Sequence, residues 1–199
     1  MGVVEVGTCR RPMRGESVCG DAWLHLEGAN SCFLAVVDGL GHGPAAFEAA
    51  TLATEHLRRE VASRVRSVDL GATLQSLHHA LRSTRGVVAG LATIHRPTEE
   101  LAFAGIGNIE AQIIGSAAMQ VLSHPGILGD GRRLHPVVHH VPFQVGWLLI
   151  LHSDGLAPGP YPPVARGLPC TRIAQLLLDQ LGRDDDDALV VVARLPGEV

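Results

Sequence analysis

Two continuously apolar runs end in the same dipeptide, and no other feature of the chain constrains its fold as much. Cys32–Val37 runs into Asp38-Gly39, and "WLLIL" at Trp147–Leu151 leads through His152 and Ser153 to Asp154-Gly155. A short apolar run bounded by turn residues reads as a buried strand. Each strand therefore delivers a carboxylate into a bend. After the first, Gly39, Gly41 and Gly43 stud the chain before Pro44, a residue suited to the first turn of a helix. An isolated Asp-Gly is ordinarily a turn dipeptide and nothing more. Here it does not stand alone. Asp21 in "CGDAW" opens an early strand expected to pair with Cys32–Val37, and "DDDD" at Asp184–Asp187 immediately precedes the apolar "ALVVVARL". Four acidic positions at strand ends converge on one rim if their strands are neighbours. Carboxylates that close repel one another unless a cation neutralises them, and hard ions such as Mg²⁺ or Mn²⁺ take oxygen ligands of this kind. A glycine after Asp38 would also let a backbone carbonyl approach the same ion with no Cβ in the way.

Along the chain, the periodicity predicts strands at Val3–Thr8, Ala22–Glu27 and Cys32–Val37, then helices over Pro44–Val65 and Leu70–Ser83. Phe47, Ala50, Leu57 and Val61 suit one face of the first helix, and Leu70, Leu74, Leu77 and Leu81 one face of the second. Strands are expected again at Val87–His95, Leu101–Gly105, Ile109–Gly115, Met119–Leu122 and Trp147–His152. The Pro/Gly-rich Ala157–Pro169 reads as a surface loop, followed by a helix at Thr171–Leu181 and a strand at Ala188–Leu195. Strands, two helices, many strands, then one helix and one strand indicate an α+β layered fold rather than regular βα alternation.

The 199 residues, 46% of them hydrophobic, suffice for one domain spanning 1–199 with a sizeable core. A net charge of −4 with scattered arginines gives no basic field for nucleic acid. No apolar run approaches the ~20 residues of a membrane span, and no signal-like segment opens the chain. A cytoplasmic protein with neither a nucleic-acid nor a membrane partner is expected, and the length suits a stand-alone catalytic domain. Cys9, Cys19, Cys32 and Cys170 lack CxxC or zinc-finger spacing and read as reduced structural thiols. Dinucleotide binding, the other use of a strand, a glycine-rich turn and a helix, fails on spacing. The third glycine of G-x-G-x-x-G would fall at Pro44, and Asp38 would repel a pyrophosphate.

Taken in order, "SVCGDAW", "AVVDGLGHG", "RGVVAGLATI", "GIGNIEA", "LILHSDGL" and "DDDDALVVVARL" span nearly the whole chain. In this the sequence resembles the metal-dependent protein serine/threonine phosphatases, the PPM family, in the small bacterial SpoIIE-like form and its branch of RsbX-like stressosome phosphatases. The resemblance implies an αββα four-layer sandwich, two antiparallel β-sheets flanked by helices, with two divalent cations, Mn²⁺ or Mg²⁺, at one end. By the same resemblance, Asp38 bridges the two ions with the Gly39 carbonyl on one of them. Asp154 and Asp186 bind the second ion, and Asp21 holds metal-bound water. Asp186 is preferred to Asp187 because the family motif places the ligand first of two residues at the entrance to the last strand. Asp184 and Asp185 are expected to face solvent. Such a pair of ions acidifies a bridging water and clamps the phosphoryl oxygens.

The implied substrate is a phosphorylated protein, with phosphoserine or phosphothreonine on STAS-domain stressosome proteins. Some positions depart from the family pattern. Leu40 stands where the eukaryotic branch has a histidine proposed as general acid, and His42, two residues further on, is a candidate for that role. "GVVAG" replaces a glycine-threonine segment, and Leu189 stands where threonine is common. Gly107-Asn108 matches a family turn, equally readable as an ordinary left-handed turn, and Arg14 is a weaker candidate phosphate contact. The paired histidines His78–His79 and His139–His140 are expected on solvated faces, because adjacent residues point apart. A pseudophosphatase used as a binding module, or a hydrolase of small phosphate esters, are the rival readings.

Overall fold

The computed structural model describes residues 2–157 and 167–197. Two five-stranded antiparallel sheets pack face to face. One has the order β2 (Asp21–Glu27), β3 (Ser31–Gly39), β4 (Val87–His95), β5 (Glu100–Ile106) and β8 (His139–Pro142). The other has the order β1 (Glu5–Arg11), β10 (Ala188–Arg194), β9 (Leu148–His152), β6 (Glu110–Ile114) and β7 (Ala118–Val121). Helices α1 (Pro44–Val61) and α2 (Leu70–Ala80) cover the outside of the first sheet, and α3 (Cys170–Leu181) covers the second. The αββα sandwich implied by the resemblance is therefore the observed architecture.

Alternation along the strands builds the layers. In β3, Cys32, Leu34 and Val36 face the inter-sheet core with Phe103, Leu149 and Val191, while Phe33, Ala35 and Val37 face α1 and α2. Both faces of this central strand are buried, which is why it reads as an unbroken apolar run rather than an alternation. In β9 and β10, Ile150, Val190 and Val192 turn outward onto Ile173, Leu177 and Leu178 of α3.

Helix α1 begins with Pro44 in its first turn, as its sequence predicts. Its buried face, however, is Ala46, Ala49, Ala50, Ala53, Leu57 and Val61, and Phe47 is 40% exposed. The reason is close approach: a Cβ on Gly39 would overlap the carbonyl oxygen of Ala46. With backbone this near backbone, only alanine-sized side chains fit at the N-terminal end of the helix, and the bulkier Phe47 is turned outward. The α1 and α2 helices end at Val61 and Ala80, short of the expected Val65 and Ser83. In α2, Asp69 caps the N-terminus by accepting from the Ala72 N–H, and Leu70, Leu74, Leu77 and Leu81 are buried as expected.

Strand β8 was not anticipated. It is a short edge strand of mixed polarity that ends in proline, and it pairs with β5 through four residues. The expected loop Ala157–Pro169 lies for the most part outside the described residues. The four cysteines are free, and burial pushes the thiols of Cys19, Cys32 and Cys170 up to about 12. Among the described residues, no helix is long and apolar enough to cross a membrane.

Candidate active site

The sheet ends that carry the four acids meet at one end of the sandwich. Asp21 opens β2 and is the direct cross-strand partner of Asp38 near the end of β3. Asp154 follows β9, Asp186 precedes β10, and these two strands are neighbours in the opposite sheet. Asp38, Asp154 and Asp186 line a single cavity of about 440 Å³, together with Leu40, Gly41 and Asn108.

Burial pushes the Asp38 carboxyl up to about 9, with the charges of Asp21, Asp154 and Asp186 adding to the shift, and it is hydrogen-bonded to Asp154. Asp21, 1% exposed, is pushed up to about 7, again chiefly by burial, although a hydrogen bond from Ser153 opposes the rise. Asp186 is also raised, by burial first and by Asp154 second. Without a cation, a buried carboxylate cluster of this kind holds protons in order to avoid mutual repulsion.

Side chains around the acids fix their orientation. The Ser153 hydroxyl donates to Asp21 Oδ2 at 2.6 Å and accepts the Leu189 N–H at 3.0 Å, which ties β2 to β10. Asp21 Oδ1 is buried without a partner. Asn108 Nδ2 donates to Asp154 Oδ2 at 2.6 Å from the turn at Gly107. Gly107 is left-handed, at φ 99°, and a Cβ there would overlap Val88. The turn is thus both a left-handed turn and a contact to a cavity acid. A Cβ on Gly155 would overlap the Asp187 carbonyl, so the second Asp-Gly lets the chain pass against the entry to β10.

Within the aspartate run, Asp184 and Asp185 are exposed, and Asp185 pairs with Arg183. Asp187 is 2% exposed and turned away from the cavity: its carboxylate accepts the Met13 and Gly20 N–H groups at 2.8 and 2.9 Å. It pins the segment before Asp21 to the start of β10. Asp186, between them, lines the cavity and accepts the Asp187 N–H.

Gly39 lies beside the acids, and the overlap its Cβ would make is with α1. His42 is half exposed, contacts Glu16 Oε1 at 2.7 Å and is not among the cavity-lining residues. Arg14 is exposed, and its N–H donates to the Asp184 carbonyl. The Arg85 guanidinium is held over the cavity-lining Gly41, with Nη1 3.2 Å from where a Gly41 Cβ would stand.

Sequence reasoning missed Ser153, Asp187 and Arg85. The "HSDG" context could have flagged Ser153, because a polar residue inside a buried strand end requires a partner. His78, expected on a solvated face, is 2% exposed, with Nδ1 accepting the Gly129 N–H at 3.2 Å. A polar partner made burial tolerable there. His139 is half-buried and stacks on His124, and His140 is exposed.

Among the described residues, the one trio of ligating side chains with atoms all within 4.8 Å of one another is His25, Glu27 and Cys32. Arg96 engages Glu27, and the Cys32 thiol is held protonated by burial, so this trio is a poor cation site. The cavity aspartates form no such trio, although Asp38 and Asp154 are hydrogen-bonded. Ions of the Mg²⁺ kind, which keep several of their waters, can span carboxylates that do not close on one point. The buried, partnerless Asp21 Oδ1 and the raised carboxyls of Asp38 and Asp186 fit such a group.

An αββα sandwich with acids from both sheets meeting at one end defines the PP2C-type phosphatase class. Residues 28–196 match the family of Stage II sporulation protein E (SpoIIE), and the chain belongs to that family. A chain from the bacterial stressosome, "a modular system that has been adapted to control secondary messenger signaling", is 35% identical with a TM-score of 0.87, over 96% of this chain and 99% of that one. RsbX in complex with magnesium superposes with a TM-score of 0.84 at 20% identity, over 98% of this chain and 96% of that one. The PP2C phosphatase domain of SpoIIE from Bacillus subtilis, with a fragment of its regulatory domain, gives 0.80 at 24% identity, over 96% of this chain and 63% of that one. At those identities the last two show the fold alone. No curated protein sequence matches the chain significantly.

Proposed function

We propose that residues 1–199 act as one phosphatase domain that uses divalent cations, Mn²⁺ or Mg²⁺, to hydrolyse phosphoserine or phosphothreonine on proteins. The observation that carries this reading is the convergence of Asp38, Asp154 and Asp186 on one cavity, where burial and neighbouring charge drive the carboxyls of Asp38 and Asp186 above their ordinary range. RsbX was solved with magnesium, which supports the choice of cation.

In this reading Asp38 would hold both ions, with the Gly39 carbonyl on one, Asp154 and Asp186 on the other, and Asp21 acting through water. Bound there, the cations supply charge neutralisation for the phosphoryl oxygens and a more acidic water. The chain's own residues supply position. Ser153 holds Asp21 through Oδ2 and leaves its buried Oδ1 without a protein partner, while Asn108 orients Asp154 from the exposed rim. Arg85, over Gly41, adds positive charge near a cavity otherwise rich in carboxylates.

The substrates are proposed to be phosphorylated STAS-domain proteins of a stressosome in the cytoplasm. The 35% identity with a stressosome chain over nearly the full length of both supports this. A second reading, a binding module without turnover, draws on Val88, an apolar residue of the altered "GVVAG" segment that lines the cavity.

The test is hydrolysis of p-nitrophenyl phosphate in Mn²⁺. Turnover that EDTA stops and Asp38→Ala abolishes in a folded protein is expected. Absence of turnover with every divalent ion supports the binding module. A higher kcat/KM on free phosphoserine than on a phosphorylated STAS protein would remove the stressosome substrate.

A further inference from the structure

The acidic cavity continues into a basic trough. Pro125 and Gly126 line both the cavity and an adjoining groove of about 290 Å³. That groove shares Arg132, Arg133 and Leu134 with a third hollow of about 370 Å³, whose other wall is Gln75, His78, His79 and Arg82 of α2 and the turn after it. The chain's formal net charge is −4, yet this stretch concentrates three arginines and four histidines. Its one carboxylate, Asp130, lies 3.8 Å from Arg132. Among the described residues, Arg82 and Arg133 form no ion pair.

The trough is held in place by main chain rather than by loose side chains. Gly107 N–H donates to the His124 carbonyl at 2.7 Å, and His124 N–H donates to Gly105. Leu128 exchanges both backbone hydrogen bonds with Val87. Gly129, at φ 101°, packs so closely on the end of α2 that a Cβ would stand 2.7 Å from the Leu81 carbonyl oxygen. At the trough's far end His78 is buried, with Nδ1 taken by Gly129 and Nε2 lacking any partner. Three guanidinium groups around one hollow are suited to an anionic ligand.

We propose that this trough docks an acidic segment of the phosphoprotein substrate, next to the residue whose phosphate enters the cavity. The inference rests on the phosphatase reading and adds a substrate preference to it. A carboxylate chain would be attracted along Arg132, Arg133 and Arg82, which lead away from the cavity. That direction orients the substrate as well as holding it.

The test compares phosphoserine peptides flanked by glutamates with the same peptides flanked by glutamines, the flanks placed on either side, in Mn²⁺. The variant is Arg132→Glu/Arg133→Glu; both side chains are exposed, so folding is unaffected. The wild-type chain is expected to favour one glutamate-flanked peptide by about tenfold in kcat/KM, with the preference reduced by salt and abolished in the variant. Turnover of p-nitrophenyl phosphate, too small to reach the trough, is expected to be the same in both proteins. Equal kcat/KM for glutamate and glutamine flanks overturns the proposal, as does an equal loss on p-nitrophenyl phosphate. Fluorescence anisotropy of the labelled peptides separates this proposal from the phosphatase reading. Glutamate-selective binding that the variant loses, in a protein without turnover, sinks catalysis and keeps the trough; unselective binding with normal turnover does the reverse.

Discussion

Asp21 and Asp38 are direct partners across the β2–β3 ladder, two carboxyl groups brought together by strand register at the end of a sandwich, Asp21 buried and Asp38 half-buried. Both hold their protons more tightly folded than unfolded, Asp21 up to about 7 and Asp38 up to about 9. A carboxyl whose pKa is raised on folding contributes stability below its unfolded pKa of about 4 and loses it as pH rises through the folded value. The melting temperature of the metal-free protein is therefore expected to fall between about pH 5 and pH 9, and Mn²⁺ to raise it more at about pH 8 than at about pH 5. Calorimetry with EDTA and with Mn²⁺ measures both. A metal-free melting temperature that climbs through this window contradicts the burial of uncompensated acids.

Neutralising one member of the cluster should separate stability from activity. Asp38→Asn replaces a carboxyl that burial and three neighbouring acids force to take up a proton on folding with an amide that needs none. Metal-free stability at about pH 8 is expected to rise by about 1 kcal/mol or more, while p-nitrophenyl phosphate turnover falls by at least about 10²-fold. Urea denaturation beside a turnover assay checks the pair of effects. Loss of both together would make Asp38 a merely structural residue.

Ser153 satisfies two buried groups at once, Asp21 Oδ2 and the Leu189 N–H. Ser153→Ala leaves both without a partner in a water-excluded strand end. A loss of about 1–3 kcal/mol is expected from the urea midpoint, with the slope unchanged. A shift under a few tenths of a kcal/mol would mean that water replaces the hydroxyl.

Asn108 is exposed and holds Asp154 by a single hydrogen bond. Asn108→Ala should leave the melting temperature of the metal-free protein within about 2 °C. The Mn²⁺ concentration for half-maximal activity is expected to rise about 10- to 100-fold, the usual cost of releasing a residue that orients a metal ligand. An unchanged Mn²⁺ dependence would remove Asn108 from the site.

Much of this arrangement is legible in the sequence, for identifiable reasons. The strand over 87–95 coincides with its expectation because "VVAGLATIH" is apolar enough to be buried on both faces and is bounded by Gly86 and the Arg96-Pro97 turn. Asp38, Asp154 and Asp186 stand at the edges of runs that hydrophobicity alone marks as strands, so their convergence needs only that those strands be neighbours. What escapes is decided by tertiary contact. Phe47 faces outward because Gly39 draws α1 too close for a bulky ring, a distance no periodicity contains. Asp187 is buried by two main-chain N–H groups, from Met13 and Gly20, that lie far away in sequence. His78 is buried because Gly129 offers it a hydrogen bond. Strand β8 pairs only where β5 leaves an edge free, and its own residues carry little strand signal.

Anomalous diffraction from crystals soaked in Mn²⁺ tests the central claim most directly, since it locates the ions without reference to turnover. Manganese peaks within coordination distance of Asp38, with Asp154 and Asp186 reaching one of them, are the expected result. Peaks elsewhere on the molecule, or none at this cavity in a crystal that admits the ion, would contradict it.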